Sequence, residues 1–147
     1  MEVNKTALFI GHRVCHGIEV NDIYPLIREL AENGVNTFLS GGCGYFDMIS
    51  ARAVWELKKE FSEIENILVI PYLNFNVFAP EIFDGTLYPE DVVTAPFRAK
   101  IIRRNRYMVK NSAYAVCYVN NLFGGSGLTY EYAKKQGLRI INLGGLE

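Results

Sequence analysis

Two short glycine-rich stretches are the parts of this sequence whose residue types and spacing point most directly to chemistry. The stretch SGGCGYFD covers residues 40–47, and FGGSGLTYE covers residues 123–131. Glycine lets a backbone N–H approach a ligand closely, because no Cβ intervenes. Where such a stretch opens a helix, the unpaired N–H groups and the helix dipole attract anions. Both stretches therefore predict phosphate-binding loops, although a tight strand-to-helix turn without a ligand would also explain either one alone.

Two other parts of the chain add charge and acid–base groups. His12 and Arg13 follow the apolar stretch at residues 6–10, and six lysines and arginines lie between residues 98 and 110. One arginine of that segment, aimed at the glycine loops, would bind a phosphate or a carboxylate through its forked guanidinium. His12 is suited either to acid–base chemistry near neutral pH or to a hydrogen bond that orders its loop, and we prefer the loop bond.

Asp47 and Trp55 each allow two interpretations. Asp47 follows the first glycine loop, where its carboxylate would either accept a ribose hydroxyl or cap the next helix, and we prefer the cap. Trp55 falls on the same predicted helix, where it either packs between helices or forms part of a homodimer or larger homo-oligomer. Neither residue identifies a ligand by itself.

The elements that must position these residues alternate between strand and helix. Apolar runs predict five strands, at residues 6–10, 36–40, 66–71, 114–119 and 138–143, and apolar spacing predicts helices at 21–34, 46–61, 97–110 and 129–136. Continuous apolar strands are typical of a parallel sheet covered on both faces. We therefore predict an α/β fold, a doubly wound, Rossmann-like, five-stranded parallel sheet. Ligands of such sheets bind beyond the carboxyl ends of the strands, where the glycine loops would lie.

Length and composition set broad limits. The 147 residues suit one domain (1–147), with a loop-rich insert at about 72–96 that serves either as a lid or as a cover for the core. A net charge of −1 makes a nucleic-acid partner unexpected. We expect a cytoplasmic protein, since no stretch is apolar enough to span a membrane and the N-terminus lacks a secretory signal. The three cysteines have no CxxC spacing, so we expect neither a disulfide framework nor a metal site, and no cofactor.

Four motifs in order resemble one superfamily over nearly the whole chain outside the insert. They are ALFIGHR, FLSGGCGYFD, RRNRYMVKNSAYAVCYV and GGSGLTYEYAKKQGLRIINL. This sequence is similar to the SLOG superfamily, which includes the DNA processing protein DprA and the LONELY GUY phosphoribohydrolases. It most resembles the small YpsA-like branch. The resemblance implies a Rossmann-like fold that holds a nucleotide or a nucleotide-derived, phosphorylated ligand, as a sensor or binding module.

The LONELY GUY enzymes suggest an alternative, hydrolysis of the N-glycosidic bond of a nucleoside 5′-monophosphate. By resemblance, the catalytic candidates are Arg104 and Glu131, and Glu131 is equally well explained as a surface residue favoured by the helix dipole. The chain departs from the enzyme pattern at Asn105, Leu128 and Phe123, which favours binding over catalysis. Residues and resemblance together give these ligand-binding candidates: Gly11, His12, Arg13, Ser40, Gly41, Gly42, Gly44, Asp47, Arg104, Asn105, Gly124, Gly125, Ser126, Gly127 and Thr129.

Overall fold

The first strand explains why helices cover both sides of the sheet. In β1 (Thr6–Gly11), Ala7 and Phe9 belong to one buried cluster, whereas Leu8 and Ile10 belong to another. Successive side chains of a strand point to opposite faces, so both faces of β1 are apolar. Each face must therefore be covered by other elements.

The structure is a computed structural model that describes residues 1–146. A short 3₁₀ turn at Val3–Lys5 precedes β1, and two more lie at Pro80–Ile82 and Phe97–Ala99. After β1 the elements follow in this order: α1 (Val20–Glu32), β2 (Thr37–Ser40), α2 (Tyr45–Leu57), β3 (Glu65–Val69), β4 (Gly85–Leu87), α3 (Glu90–Val93), α4 (Lys100–Lys110), β5 (Tyr114–Tyr118), α5 (Gly124–Lys135) and β6 (Arg139–Asn142).

The strands form one parallel sheet in the order β4-β3-β2-β1-β5-β6. The chain builds outward from β1 through β4, then returns to the other side of β1 to add β5 and β6. This change of direction creates a topological switch point between β1 and β5, where ligands of open α/β sheets bind. The predicted doubly wound parallel fold is confirmed.

The helices divide between the two faces. Buried residues of α1 and α2, such as Ile27 and Val54, pack with Phe9 and Phe38 on one face. On the other face, Met108 of α4 and residues of α5 pack with the remaining strand side chains. The arrangement brings the N-terminus of α2 and that of α5 to the carboxyl edge of the sheet.

The prediction of five strands was wrong by one, because β4 lies inside the 72–96 insert. Asp84 holds this segment against β3: its side-chain Oδ2 accepts the Asn66 N–H (2.7 Å), and its N–H donates to the Asn66 carbonyl (2.8 Å). Ile82 and Val92 are buried beside it. The strand has only three residues and no apolar run, so its pairing depends on these contacts and not on a local sequence pattern.

The last helix also begins earlier than predicted. We expected it to start at Thr129, after the glycines, but Gly124, Gly125 and Gly127 form its first turn. Glycine has a low helix propensity, which hides this start in the sequence. Within residues 1–146, no helix is long and apolar enough to cross a membrane.

Candidate functional site

A cleft of about 350 Å³ opens at the carboxyl edge of the sheet, beside the switch point. The loops after β1, β2 and β5 all contribute to it, together with one side of α4. Most of the predicted ligand-binding residues line this cleft: Gly11, His12, Arg13, Gly41, Asp47, Arg104, Asn105, Gly124, Gly125, Ser126 and Thr129.

Three predicted residues of the first glycine loop lie outside the lining and shape the loop instead. The Ser40 hydroxyl accepts the Gly42 N–H at 3.2 Å, which closes a tight turn. Gly44 is the N-cap of α2 with φ of +92°, and a Cβ there would lie 2.6 Å from Cα of Arg13. Glycine is required at Gly42 and Gly44 by their positive φ, and Ser40 contributes the hydroxyl that closes the turn.

Gly127 and Glu131 of α5 also lie outside the lining. A Cβ on Gly127 would come within 2.3 Å of the carbonyl carbon of Leu122, so this glycine allows the loop to pack directly on the helix. Glu131 is exposed in the second turn of α5. The structure therefore does not bring Glu131 together with Arg104 in the cleft.

The N-terminus of α5 presents unused donors to the cleft. The N–H groups of Gly124, Gly125 and Ser126 have no acceptor among residues 1–146. The N-cap, Phe123, has no side-chain oxygen to cap them, and the first turn contains no acidic residue. Apart from adjacent residues and the helix's own backbone, no atom lies within 4 Å of a Cβ placed on Gly124 or Gly125, so this end of the helix is open. It has the properties of an anion-binding helix terminus.

Arg104 contributes a buried cation to the same cleft. Its side chain is only 3% exposed, and Nη1 donates to the carbonyls of Gly41 (2.9 Å) and Val69 (2.8 Å). Nε donates to Oδ1 of Asn105 at 2.8 Å, while Nη2 has no hydrogen bond in the described chain. Burial lowers the pKa of the guanidinium, and the negative charge of Asp47 opposes this effect. Nε and Nη1 of the guanidinium are thus held by the protein, and Nη2 remains able to donate a hydrogen bond to a ligand.

Asp47 is a buried carboxylate that also lines the cleft. Its Oδ2 accepts the backbone N–H of Cys43 at 2.9 Å, at the start of α2. Burial raises the pKa of Asp47 to about 6, although the Cys43 N–H and the nearby charge of Arg104 act to lower it. Cys43 precedes the N-cap, Gly44, so this bond orders the glycine loop, and the preferred interpretation of Asp47 as a helix cap was wrong. The carboxylate also supplies the negative charge at the N-terminus of α2, so this loop is less suited than the α5 terminus to hold an anion.

His12 makes hydrogen bonds through both ring nitrogens. Nδ1 lies 2.6 Å from Oγ of Ser126, and Nε2 accepts the N–H of Asn120 at 3.0 Å. These bonds agree with the preferred role of ordering a loop. They join the loop after β1 to the start of α5.

Sequence reasoning did not include six of the lining residues: Phe9, Ile10, Cys43, Ile101, Met108 and Phe123. Phe9 and Ile10 end a buried strand, so their position before a ligand loop was a usable signal. Cys43 lies between the predicted glycines, and its Sγ accepts a hydrogen bond from Nη2 of Arg13 at 3.1 Å. Phe123 is 84% exposed at the mouth of the cleft, which no local pattern indicates.

Searches with family models and with curated protein sequences found no match for this chain. Its fold has solved counterparts. DNA processing protein A from Helicobacter pylori, described for its mode of binding single-stranded DNA, matches 95% of this chain with a TM-score of 0.66 and 19% identity. The same protein from Streptococcus pneumoniae matches 95% with a TM-score of 0.62 and 18% identity. The structural-genomics protein TM1055 matches 96% with a TM-score of 0.61 and 17% identity.

These neighbours identify the class of fold, a Rossmann-like parallel sheet flanked by helices. This chain spans 65% and 50% of the two DNA processing proteins and 75% of TM1055. At 17–19% identity the three show the fold alone, and they do not test the resemblance of the motifs to one superfamily or branch.

Proposed function

We propose that this chain binds a nucleotide, or a nucleotide-derived ligand, with its phosphate at the N-terminus of α5. The observation that carries the proposal is the set of unused donors in one cleft. The N–H groups of Gly124, Gly125 and Ser126 are uncapped, and Nη2 of the buried Arg104 is unpaired among the described residues. Backbone donors and a guanidinium are the groups that recognise phosphate in proteins.

Asp47 is suited to the sugar of the same ligand. Its Oδ2 already accepts the Cys43 N–H, which leaves Oδ1 to accept a ribose hydroxyl. With a pKa of about 6 the carboxylate is largely ionised at neutral pH, so it acts as an acceptor there. The cleft thus holds donors for a phosphate and an acceptor for a hydroxyl.

The hydrolase alternative has less support than binding. The carboxylate that the resemblance assigns to cleavage of the N-glycosidic bond is Glu131, and it is exposed outside the lining. We therefore propose a binding module or sensor in preference to a phosphoribohydrolase.

A second candidate is single-stranded nucleic acid, and the distribution of charge favours it. Residues 92–130 contain six lysines and arginines and no aspartate or glutamate, so the net charge of −1 conceals a basic segment. Phe123 (84% exposed) offers a ring face on which a base can stack, and Phe97 (72% exposed), which already stacks on Tyr72, offers its other face. The Helicobacter pylori neighbour binds single-stranded DNA with the same class of fold.

Calorimetry with nucleosides and their 5′-monophosphates tests the leading proposal. Gly125→Asp is the decisive variant, because Gly125 has open space and an aspartate suits the start of a helix. Its charge should repel a phosphate and weaken nucleotide binding about 10-fold or more, without loss of thermal stability. Gly125→Asn, with the same shape but no charge, is the matched control.

Two further assays on the same samples separate the candidates. Chromatography of the reaction mixtures detects any free base, which would favour the hydrolase. Fluorescence anisotropy with a labelled oligothymidylate, at several salt concentrations, detects nucleic-acid binding. If no nucleotide binds to the wild type, or if Gly125→Asp and Gly125→Asn bind equally, the phosphate does not lie at α5 and the proposal is wrong.

A further inference from the structure

The two nitrogens of the His12 ring hold different partners, and this difference determines where the ring proton lies. A backbone N–H can only donate, so Nε2 must present a lone pair to Asn120 across their 3.0 Å contact. The neutral imidazole then carries its proton on Nδ1. Nδ1 lies 2.6 Å from Oγ of Ser126, so the ring donates and the hydroxyl accepts.

Because the Ser126 hydroxyl accepts the hydrogen bond from His12, its own proton remains free for another acceptor. Hydroxyl side chains in helices often donate to the carbonyl four residues earlier, as Thr129 does to Gly125 at 2.8 Å. Ser126 makes no such bond within residues 1–146. Ser126 lines the cleft beside the open N–H groups of Gly124 and Gly125, so its hydroxyl proton is available to a ligand there.

We infer that His12 is a positioning residue that fixes the Ser126 hydroxyl as a hydrogen-bond donor to the phosphate. This inference rests on the proposed nucleotide binding and deepens it. A dianionic phosphate only accepts hydrogen bonds and is a stronger acceptor than a neutral hydroxyl or amide, so a hydroxyl committed to donation favours it over them. Ser126 therefore provides part of the specificity for phosphorylated over unphosphorylated ligands.

The same tautomer gives the pair a non-catalytic role. A histidine that activates a serine must accept the hydroxyl proton with an unprotonated nitrogen. The nitrogen that faces Ser126 carries a proton instead, and the other is occupied by Asn120. His12 and Ser126 form a donor to an anion, not a nucleophile with its base.

The first test measures the tautomer directly in the ligand-free wild type. Long-range ¹H–¹⁵N NMR spectra distinguish a ring protonated on Nδ1 from one protonated on Nε2. The chain has two histidines, and His16 is exposed, so a His16→Gln variant assigns the signals. We expect the Nδ1–H form for His12 above the pH at which the ring protonates. The Nε2–H form would overturn the inference.

The second test compares the 5′-monophosphate that binds the wild type most tightly with its nucleoside. Ser126→Ala should weaken the affinity for the monophosphate about 10- to 100-fold, as expected for one hydrogen bond to a charged group. The affinity for the nucleoside should not change. Ser126→Thr, which keeps the hydroxyl, should restore most of the loss. His12→Ala should have a large effect in the wild type and a much smaller one in the Ser126→Ala background, because it acts through Ser126.

Additive effects of the two substitutions, or equal losses for nucleotide and nucleoside, would show that His12 only orders the loop. If the wild type binds the monophosphate and Ser126→Ala binds it equally well, this inference is wrong but the proposed function stands. Failure of the wild type to bind any monophosphate overturns the proposed function and this inference with it. The tautomer is measured without ligand, so it distinguishes a wrong hydrogen-bond direction from a wrong ligand.

Discussion

The guanidinium nitrogen Nη1 of Arg104 lies 2.9 Å from the carbonyl oxygen of Gly41, although 63 residues separate them in the sequence. The same nitrogen donates to the carbonyl of Val69 at 2.8 Å. One buried cation thus joins α4 to the chain at the ends of β2 and β3. These hydrogen bonds hold α4 against the carboxyl edge of the sheet, where the cleft lies.

Arg104→Ala should therefore cost stability as well as ligand affinity. The substitution leaves two buried carbonyls without their donor, at about 1–3 kcal/mol each. We expect the free energy of unfolding, measured with urea, to fall by about 3 kcal/mol. Arg103→Ala, at an exposed position of the same helix, is the control and should change stability by less than about 0.5 kcal/mol. Equal stability of the two variants would show that Arg104 serves the ligand alone.

Asp47→Asn should change how stability depends on pH. Burial raises the pKa of Asp47 from 3.8 to about 6 in the folded chain. The folded state therefore binds the Asp47 proton more tightly than the unfolded state does. The resulting gain in unfolding free energy is complete below the unfolded-state pKa of 3.8 and is lost as the pH rises through about 6. Relative to Asp47→Asn, the wild type should lose roughly 3 kcal/mol of unfolding free energy between about pH 4 and pH 7. Urea titrations of both proteins across this range measure the difference, and parallel pH curves would contradict the prediction.

Gly127→Ala and Gly125→Ala should have opposite effects, although they lie in the same turn of α5. A Cβ at position 127 would meet the Leu122 backbone at 2.3 Å, so we expect a loss of about 1–3 kcal/mol. A Cβ at position 125 meets no atom within 4 Å, and alanine favours the helix by up to about 1 kcal/mol. Thermal denaturation of the two variants should place their melting temperatures on opposite sides of the wild type. The same shift for both would indicate that the loop after β5 does not pack on the helix.

Glu131→Gln should leave nucleotide affinity unchanged, because the side chain is exposed and outside the cleft lining. Calorimetry measures the affinity, and chromatography measures any release of free base. Gly125→Asp serves as the variant that does lose binding. Release of base by the wild type, abolished in Glu131→Gln, would establish the hydrolase instead.

Local sequence patterns were sufficient for much of the fold and for the sheet edge at which the candidate cleft lies. The apolar strands require a sheet covered on both faces, and parallel strands place every strand-end loop on one edge. β4 was missed because a three-residue strand such as Gly85–Leu87 has too few side chains to show a period. Its pairing depends on Asp84, whose bonds to Asn66 are long-range.

The roles of individual glycines could not be separated from sequence. Gly125 is open to the cleft, whereas Gly127 packs on the Leu122 backbone and Gly42 faces the side chain of Leu68. These surroundings depend on how the chain folds, so glycines that look alike in the sequence differ in what they contact. The burial of Arg104 was hidden because its partners, just after β2 and at the end of β3, are distant in the sequence.

The acid-free segment from residue 92 to residue 130 also affects how quickly an anion reaches the cleft. Most of the acidic residues lie before it in the sequence, so α4 and the start of α5 carry a local excess of positive charge. Such a field guides a diffusing phosphate toward the entrance before any contact forms. Added salt should therefore slow the bimolecular association rate much more than it changes the rate at which the ligand leaves.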